Sequence, residues 1–228
     1  MKKEKRRIKD RETRIAEIQE GAKKVFFQNG FQSPSVEAIA REAGLSKGTI
    51  YLYFKSKERI YTSLMLPVAR ELGKRLRDFE SHMDRRHSQS LSELTMAFFR
   101  LYYDLYKFDP DGIRLIQTFQ QSDLFSRIPG RIRGGLAKQA RENFQAARRI
   151  LAKGNHGLMN SREIAQLLDV IWAMFLGVVQ LEESKYRTTG KDHLPETLKF
   201  GFSLIANSLK NFPEARPQLT LPVFGEKM

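Results

Sequence analysis

The chain has 228 residues, no cysteine and a formal net charge of +14. That length supports one or two domains with a real core, and the absence of cysteine excludes disulfides and thiolate metal sites, in keeping with a reducing cytoplasm. The basic start, MKKEKRRIKDRETR, is not followed by an apolar region, and no apolar run reaches the ~18 residues of a bilayer span, so the chain reads as soluble and cytoplasmic, with no membrane contact.

Taken in chain order, Lys2, Lys3, Lys5, Arg6 and Arg7 read as a flexible basic arm of the kind that lies against phosphates or enters a minor groove. A first helix is expected from near Asp10 to Asn29, with Ile15, Ile18, Ala22, Val25 and Phe26 as its buried stripe and Asn29-Gly30 as its end. The stretch from Phe31 to Tyr61 then reads as two short helices and the start of a third. Val36, Ile39, Ala40 and Ala43 recur at helical spacing. Gly44 suits a left-handed helix end, and Ser46 suits the N-cap of a second helix from Lys47 to Tyr53. Two short helices joined by a glycine-containing turn have the geometry of a DNA-reading helix-turn-helix. Charge agrees: residues 1–60 hold 15 Lys/Arg against 8 Asp/Glu, a net of +7 in about a quarter of the chain. Each phosphate neutralised by such a surface releases counterions, which makes DNA the natural partner.

Gly30-Phe31, Val36, Ile39-Ala40, Ala43-Gly44, Ser46-Lys47-Gly48-Thr49, Tyr51, Tyr53-Phe54, Lys55 and Lys57-Glu58 resemble the N-terminal signature of the tetracycline-repressor (TetR) family. Pro34 departs from it, standing where the family usually has Thr, and Ser35 keeps a hydroxyl beside it. By motif position the resemblance implies groove contacts from Lys47, Gly48 and Tyr51, and phosphate contacts from Ser35, Ser46, Thr49, Tyr53 and Lys57. It implies an all-α chain of two domains. A helix-turn-helix domain of three helices covers residues 1–56, and an effector-binding and dimerisation domain covers 57–228.

Ser56 and Glu58 open a fourth helix that runs to about Glu80, with Pro67 expected to kink it. In the family this helix links reader to ligand domain, so Pro67 is a candidate hinge. SHMDRRHSQ, residues 81–89, reads as a polar loop in which His82 and His87 are solvent histidines and not metal ligands. An aromatic helix follows from Ser90 to about Phe108. Asp109-Pro110-Asp111-Gly112 reads as a turn, and a short helix runs from Ile113 to about Gln121. A further helix is established by Leu136. Between residues 122 and 154, Arg127, Arg131, Arg133, Lys138, Arg141, Arg148, Arg149 and Lys153 oppose only Asp123 and Glu142, so this face is either plain solvated surface or an attractor for an anionic ligand.

Two last helices, at about 161–186 and 194–210, carry apolar stripes wide enough for a core and a partner; in the family they form a four-helix bundle with a second subunit. The tail from Pro213 reads as irregular. Candidate effector-pocket residues are Phe99, Tyr103, Phe119, Trp172 and Phe175. The expected effector is small and apolar or amphipathic, with anions such as an acyl-coenzyme A among the candidates. No nucleophile elbow, phosphate-cradling glycine loop or zinc motif is present. Glu182 and Glu183 are consecutive on a helix and point ~100° apart, so they form no acid/base pair. No catalytic residue, metal or cofactor is expected. The alternative is a DNA-binding regulator of the same fold that answers to a protein partner or to no small molecule.

Overall fold

The computed structural model describes residues 2–30, 34–83, 89–121 and 130–210. The side chains of Lys2, Lys3, Lys5, Arg6, Arg7 and Arg131 lie outside the described residues, as do Phe31, His87, Arg127 and the tail from Pro213. Among the described residues the secondary structure is helical throughout. The elements are α1 (Lys2–Asn29), α2 (Val36–Glu42), α3 (Lys47–Tyr53), α4 (Lys57–His82), α5 (Leu91–Phe108), α6 (Pro110–Gln121), α7 (Gly130–Lys153), α8 (Ser161–Thr189) and α9 (Leu194–Lys210).

By packing, the chain forms two compact units. The first is Met1–His82 with Tyr103–Ala146, and the second is Met83–Tyr102 with Ala147–Met228. This grouping differs from a division at residue 56, because α4 and α6 pack on each other within the first unit. Ile18, Ala22, Phe26, Ile39, Ile50, Phe54, Ile60, Leu64 and Leu115 are buried in its core. Tyr61 ties three helices together: its ring meets Phe26 edge-on at 5.1 Å, and its hydroxyl donates to the Leu115 carbonyl at 2.8 Å. Burial pushes this phenol far above its ordinary pKa.

Two boundaries correct the sequence reading. The basic arm is helical, since α1 starts at Lys2; nothing between Lys2 and Asp10 breaks a helix, and Lys, Arg and Glu are good helix formers. Asp109-Pro110-Asp111-Gly112 opens α6 instead of making a free turn. Asp109 Oδ1 accepts from Gly112 N at 2.9 Å, and Pro110 takes the first helical position, where its missing N–H costs nothing. Gly112 is there for packing: a Cβ would fall 2.2 Å from Val68 Cγ2. Helix α8 begins at Ser161, capped by Asn160 in a capping box with Glu163.

Helix α4 continues through Pro67. A proline cannot donate to the carbonyl four residues back, and Gln19 Nε2 supplies a donor there instead, 3.4 Å from the Ser63 carbonyl and 3.0 Å from its hydroxyl.

In the second unit Tyr102 sits among Phe98, Trp172, Phe175 and Phe202, with ring centroids 5.1–6.3 Å away. Helices α8 and α9 pack closely because Gly201 has no side chain; a Cβ would stand 2.7 Å from Met174 Sδ. Helix α8 is long and apolar enough to cross a membrane by length and composition, which corrects the expectation that no stretch would reach that length. It has two apolar faces: Ile164, Leu168, Ile171, Phe175 and Val179 are buried, while Val170 and Leu181 are exposed.

Candidate nucleic-acid interface

The reading head is built from caps. Ser35 Oγ accepts from Ala38 N at 3.1 Å and starts α2, and Ser46 Oγ accepts from Thr49 N at 3.1 Å and starts α3. Between them Gly44 adopts φ +65°, the left-handed conformation that costs glycine least. Behind this turn Gly21 lets α1 approach; a Cβ on it would lie 2.9 Å from the Ala43 backbone nitrogen.

Around α3 the side chains divide. Ile50 and Phe54 are buried. Lys47, Gly48, Tyr51, Leu52 and Lys55 are exposed and make the outward face, with Leu52 77% accessible. A Cβ on Gly48 would meet only Ser46 Oγ at 3.8 Å, so bare backbone is presented near the start of the helix. Tyr53 is half-buried and packs on the core. Two residues place it ~200° around the helix from Tyr51, off the outward face.

Most of the expected contact residues are already engaged. Ser46 Oγ and Thr49 Oγ1 share a hydrogen bond at 2.8 Å. Lys47 is held by Glu37 of α2 in a short ion pair, with its ammonium 5.9 Å from the Tyr51 ring centroid. Hydrogen bonding to Lys47 holds the Glu37 carboxyl below its usual range, and the same bond raises Lys47. Lys57 Nζ donates to the Pro34 carbonyl at 3.3 Å and so bridges the start of α4 to the start of α2. Lys55 Nζ donates to the Tyr51 carbonyl at 3.2 Å. Ser46, Lys47, Thr49 and Tyr51 are brought together. Ser35 and Lys57 form a second group at the start of α2, and Tyr53 packs on the core.

Glu37 is the residue that sequence reasoning missed. Its partner lies ten positions on, across the turn, and no helical periodicity pairs them.

Residues 18–64 match the family of bacterial regulatory proteins, tetR family. Residues 18–64 therefore form a tetR-family DNA-binding region. Members of this family are DNA-binding transcription regulators and not enzymes. A fatty acid metabolism regulator protein of Bacillus subtilis (strain 168) is 42% identical over 57 residues, 25% of this chain. That match spans only 29% of the relative's length. Two solved structures share the fold. The TetR family transcriptional regulator PfmR from Thermus thermophilus is 17% identical with a TM-score of 0.62, covering 84% of this chain and 96% of that one. The fatty acid degradation regulator FadR from Bacillus halodurans is 20% identical with a TM-score of 0.57, covering 86% and 93%.

The five candidate pocket residues are distributed over both units. Phe99 packs against Phe202 at 5.7 Å, and Trp172 against Phe175 at 5.6 Å, all in the second unit. Tyr103, under the Lys107 ammonium at 4.7 Å, belongs to the first unit, as does Phe119 on its core. At these distances Phe99, Trp172 and Phe175 are in contact with neighbouring rings. Among the described residues no group of three or more His, Cys, Asp or Glu is placed to hold a metal ion.

Proposed function

We propose that this chain is a homodimeric transcriptional regulator, a repressor, that reads a palindromic operator through α3 and releases it when a small effector binds. The observation that carries the reading is the outward face of α3, where Lys47, bare Gly48, Tyr51 and Leu52 project from a helix capped at both ends. Groove contacts fall to Lys47, Gly48 and Tyr51. Ser35, Ser46, Thr49 and Lys57 serve phosphates, and Tyr53 reaches a phosphate from beside the face. One short helix reads few base pairs, so a two-fold partner is needed to define a site.

Helices α8 and α9 supply the dimer surface. Val170 and Leu181 recur on one stripe of α8, with Ala173 and Gly177 between them, and Phe200 and Leu204 are i,i+4 neighbours on α9. All six residues are exposed in the single chain. The effector is small, apolar or amphipathic, and an anion such as an acyl-coenzyme A fits both the basic composition and the fatty-acid regulators among the Bacillus relatives. DNA as partner places the chain in the cytoplasm.

Footprinting on genomic fragments, together with sedimentation of the free protein, tests the reading. A protected palindrome with two half-sites about one helical turn apart, bound by a dimer, is expected. A monomer protecting a single half-site would overturn it.

A further inference from the structure

Within the first unit, a groove of about 650 Å³ opens between the end of α3, the first half of α4 and α7. Its apolar walls are Phe54, Leu66 and Leu136, and its polar lining is Tyr53, Arg59, Thr62, Ser63, Arg70 and Gln139. Three of these polar groups are spent inside the protein. Thr62 Oγ1 donates to the Glu58 and Arg59 carbonyls, at 2.9 and 3.2 Å. Ser63 Oγ donates to the Ile60 carbonyl at 2.7 Å and accepts from Gln19. Gln139 donates to Asn143 Oδ1 at 3.0 Å. Among the described residues, no carboxylate pairs with either guanidinium, and no carboxylate lines the groove. The donors left uncommitted are therefore two arginines, with the Tyr53 phenol beside them, over an apolar floor.

We propose that this groove binds a small amphipathic anion. Arg59 and Arg70 hold its acidic head, and its tail lies against Phe54, Leu66 and Leu136. A guanidinium recognises a carboxylate or phosphate through charge-assisted, planar hydrogen bonds, and the apolar wall selects against a bare inorganic ion. Gly135 lines the groove with no side chain, and a Cβ there would meet nothing within 4 Å, so the opening is not closed from the α7 side.

The occupant would be read by the reader itself. Tyr53 and Phe54 end α3, so anything wedged between them and Leu136 sets the stance of the recognition helix. On the opposite wall, Gln139 holds Asn143, whose Nδ2 donates to the Ala69 carbonyl of α4 at 2.7 Å. The site rests on the regulator reading only for this coupling to operator DNA, not for the binding.

Calorimetry on the full chain with decanoate, 1-decanol and inorganic phosphate tests the site. Decanoate binding is expected. Arg70→Gln should weaken it about 10- to 100-fold, the scale of a hydrogen bond to a charged group, and Arg70→Lys should recover part of the loss. Gly135→Phe, which fills the groove from a position with open space, should abolish it while leaving the circular dichroism spectrum unchanged. Decanol and phosphate should each bind at least about tenfold more weakly, each lacking one half of the recognition. No decanoate binding, equal binding to Gly135→Phe, or phosphate binding as tight as decanoate would each overturn the proposal. Operator retardation separates the two readings. Decanoate bound in the groove without operator release leaves the site standing and removes it as the switch. Release that persists in Gly135→Phe keeps the effector reading and removes this site.

Discussion

Two surfaces of this chain face outward with different debts. The face of α2 and α3 is polar, and its groups are already bonded to one another: Lys47 to Glu37, Ser46 to Thr49, Lys57 to the Pro34 carbonyl. The face of α8 and α9 is apolar, and Val170, Leu181, Phe200 and Leu204 stand in solvent. DNA at the first face, as proposed, would exchange internal contacts for external ones, so its net gain would be small per contact and salt-dependent. A partner at the second face displaces only water, so each ring or branched chain contributes its full transfer energy. On the proposed reading, recognition and assembly would be driven by different physics in the same molecule.

The largest test is on the apolar side. Phe200→Glu combined with Leu204→Glu should leave the fold of the single chain intact, since both side chains are exposed. It should weaken the dimer by about 2 kcal/mol or more per buried anchor, seen as monomer in sedimentation. Operator affinity should fall with it. An unchanged dimer would move the interface elsewhere.

Next is the support of the polar face. Gly21→Ala puts a methyl 2.9 Å from the Ala43 backbone nitrogen, which cannot rotate away. Overpacking of this kind costs about 1–3 kcal/mol, measurable in urea, and should displace the turn before α3 so that DNA affinity drops further than stability alone predicts. Full DNA affinity at reduced stability would show the head to be more pliable than its contacts suggest.

The smallest effects separate the two charged contacts. Lys57→Ala should weaken binding to all sequences and reduce the salt slope by about one. Glu37→Gln should do the reverse, raising affinity a few-fold at low salt, because it frees Lys47 and removes a negative charge from the face. The Glu37 carboxyl sits below its ordinary value, so whatever the pair contributes to stability is present above that ordinary value and lost as pH falls through the depressed one. At neutral pH the pair is intact. An affinity unchanged by Glu37→Gln would mean that the ammonium leaves Glu37 at no measurable cost.

What the sequence showed well were the features set by neighbours in the chain. Gly44 and Ser46 mark the turn and the cap that the structure has, and α9 begins at Leu194 and ends at Lys210 as its stripe indicates. Distant pairings were harder. Gly112 reads as part of a turn until Val68 is seen against it, and no local pattern pairs Gly21 with Ala43. No local pattern singles out Tyr61, whose hydroxyl is fixed by a carbonyl far along the chain. The groove lined by Arg59 and Arg70 takes part of its lining from Leu136 and Gln139, and no local pattern joins those positions.

Pro67 and Gln19 carry a consequence for how this chain can change. The proline withdraws a donor from the Ser63 carbonyl, and the amide from α1 replaces it. The two positions are therefore non-additive. Gln19→Ala alone should cost more than Gln19→Ala made on Pro67→Ala, where the helix again supplies its own N–H. A helix that outsources one backbone bond to its neighbour has made two distant sites a single unit of inheritance.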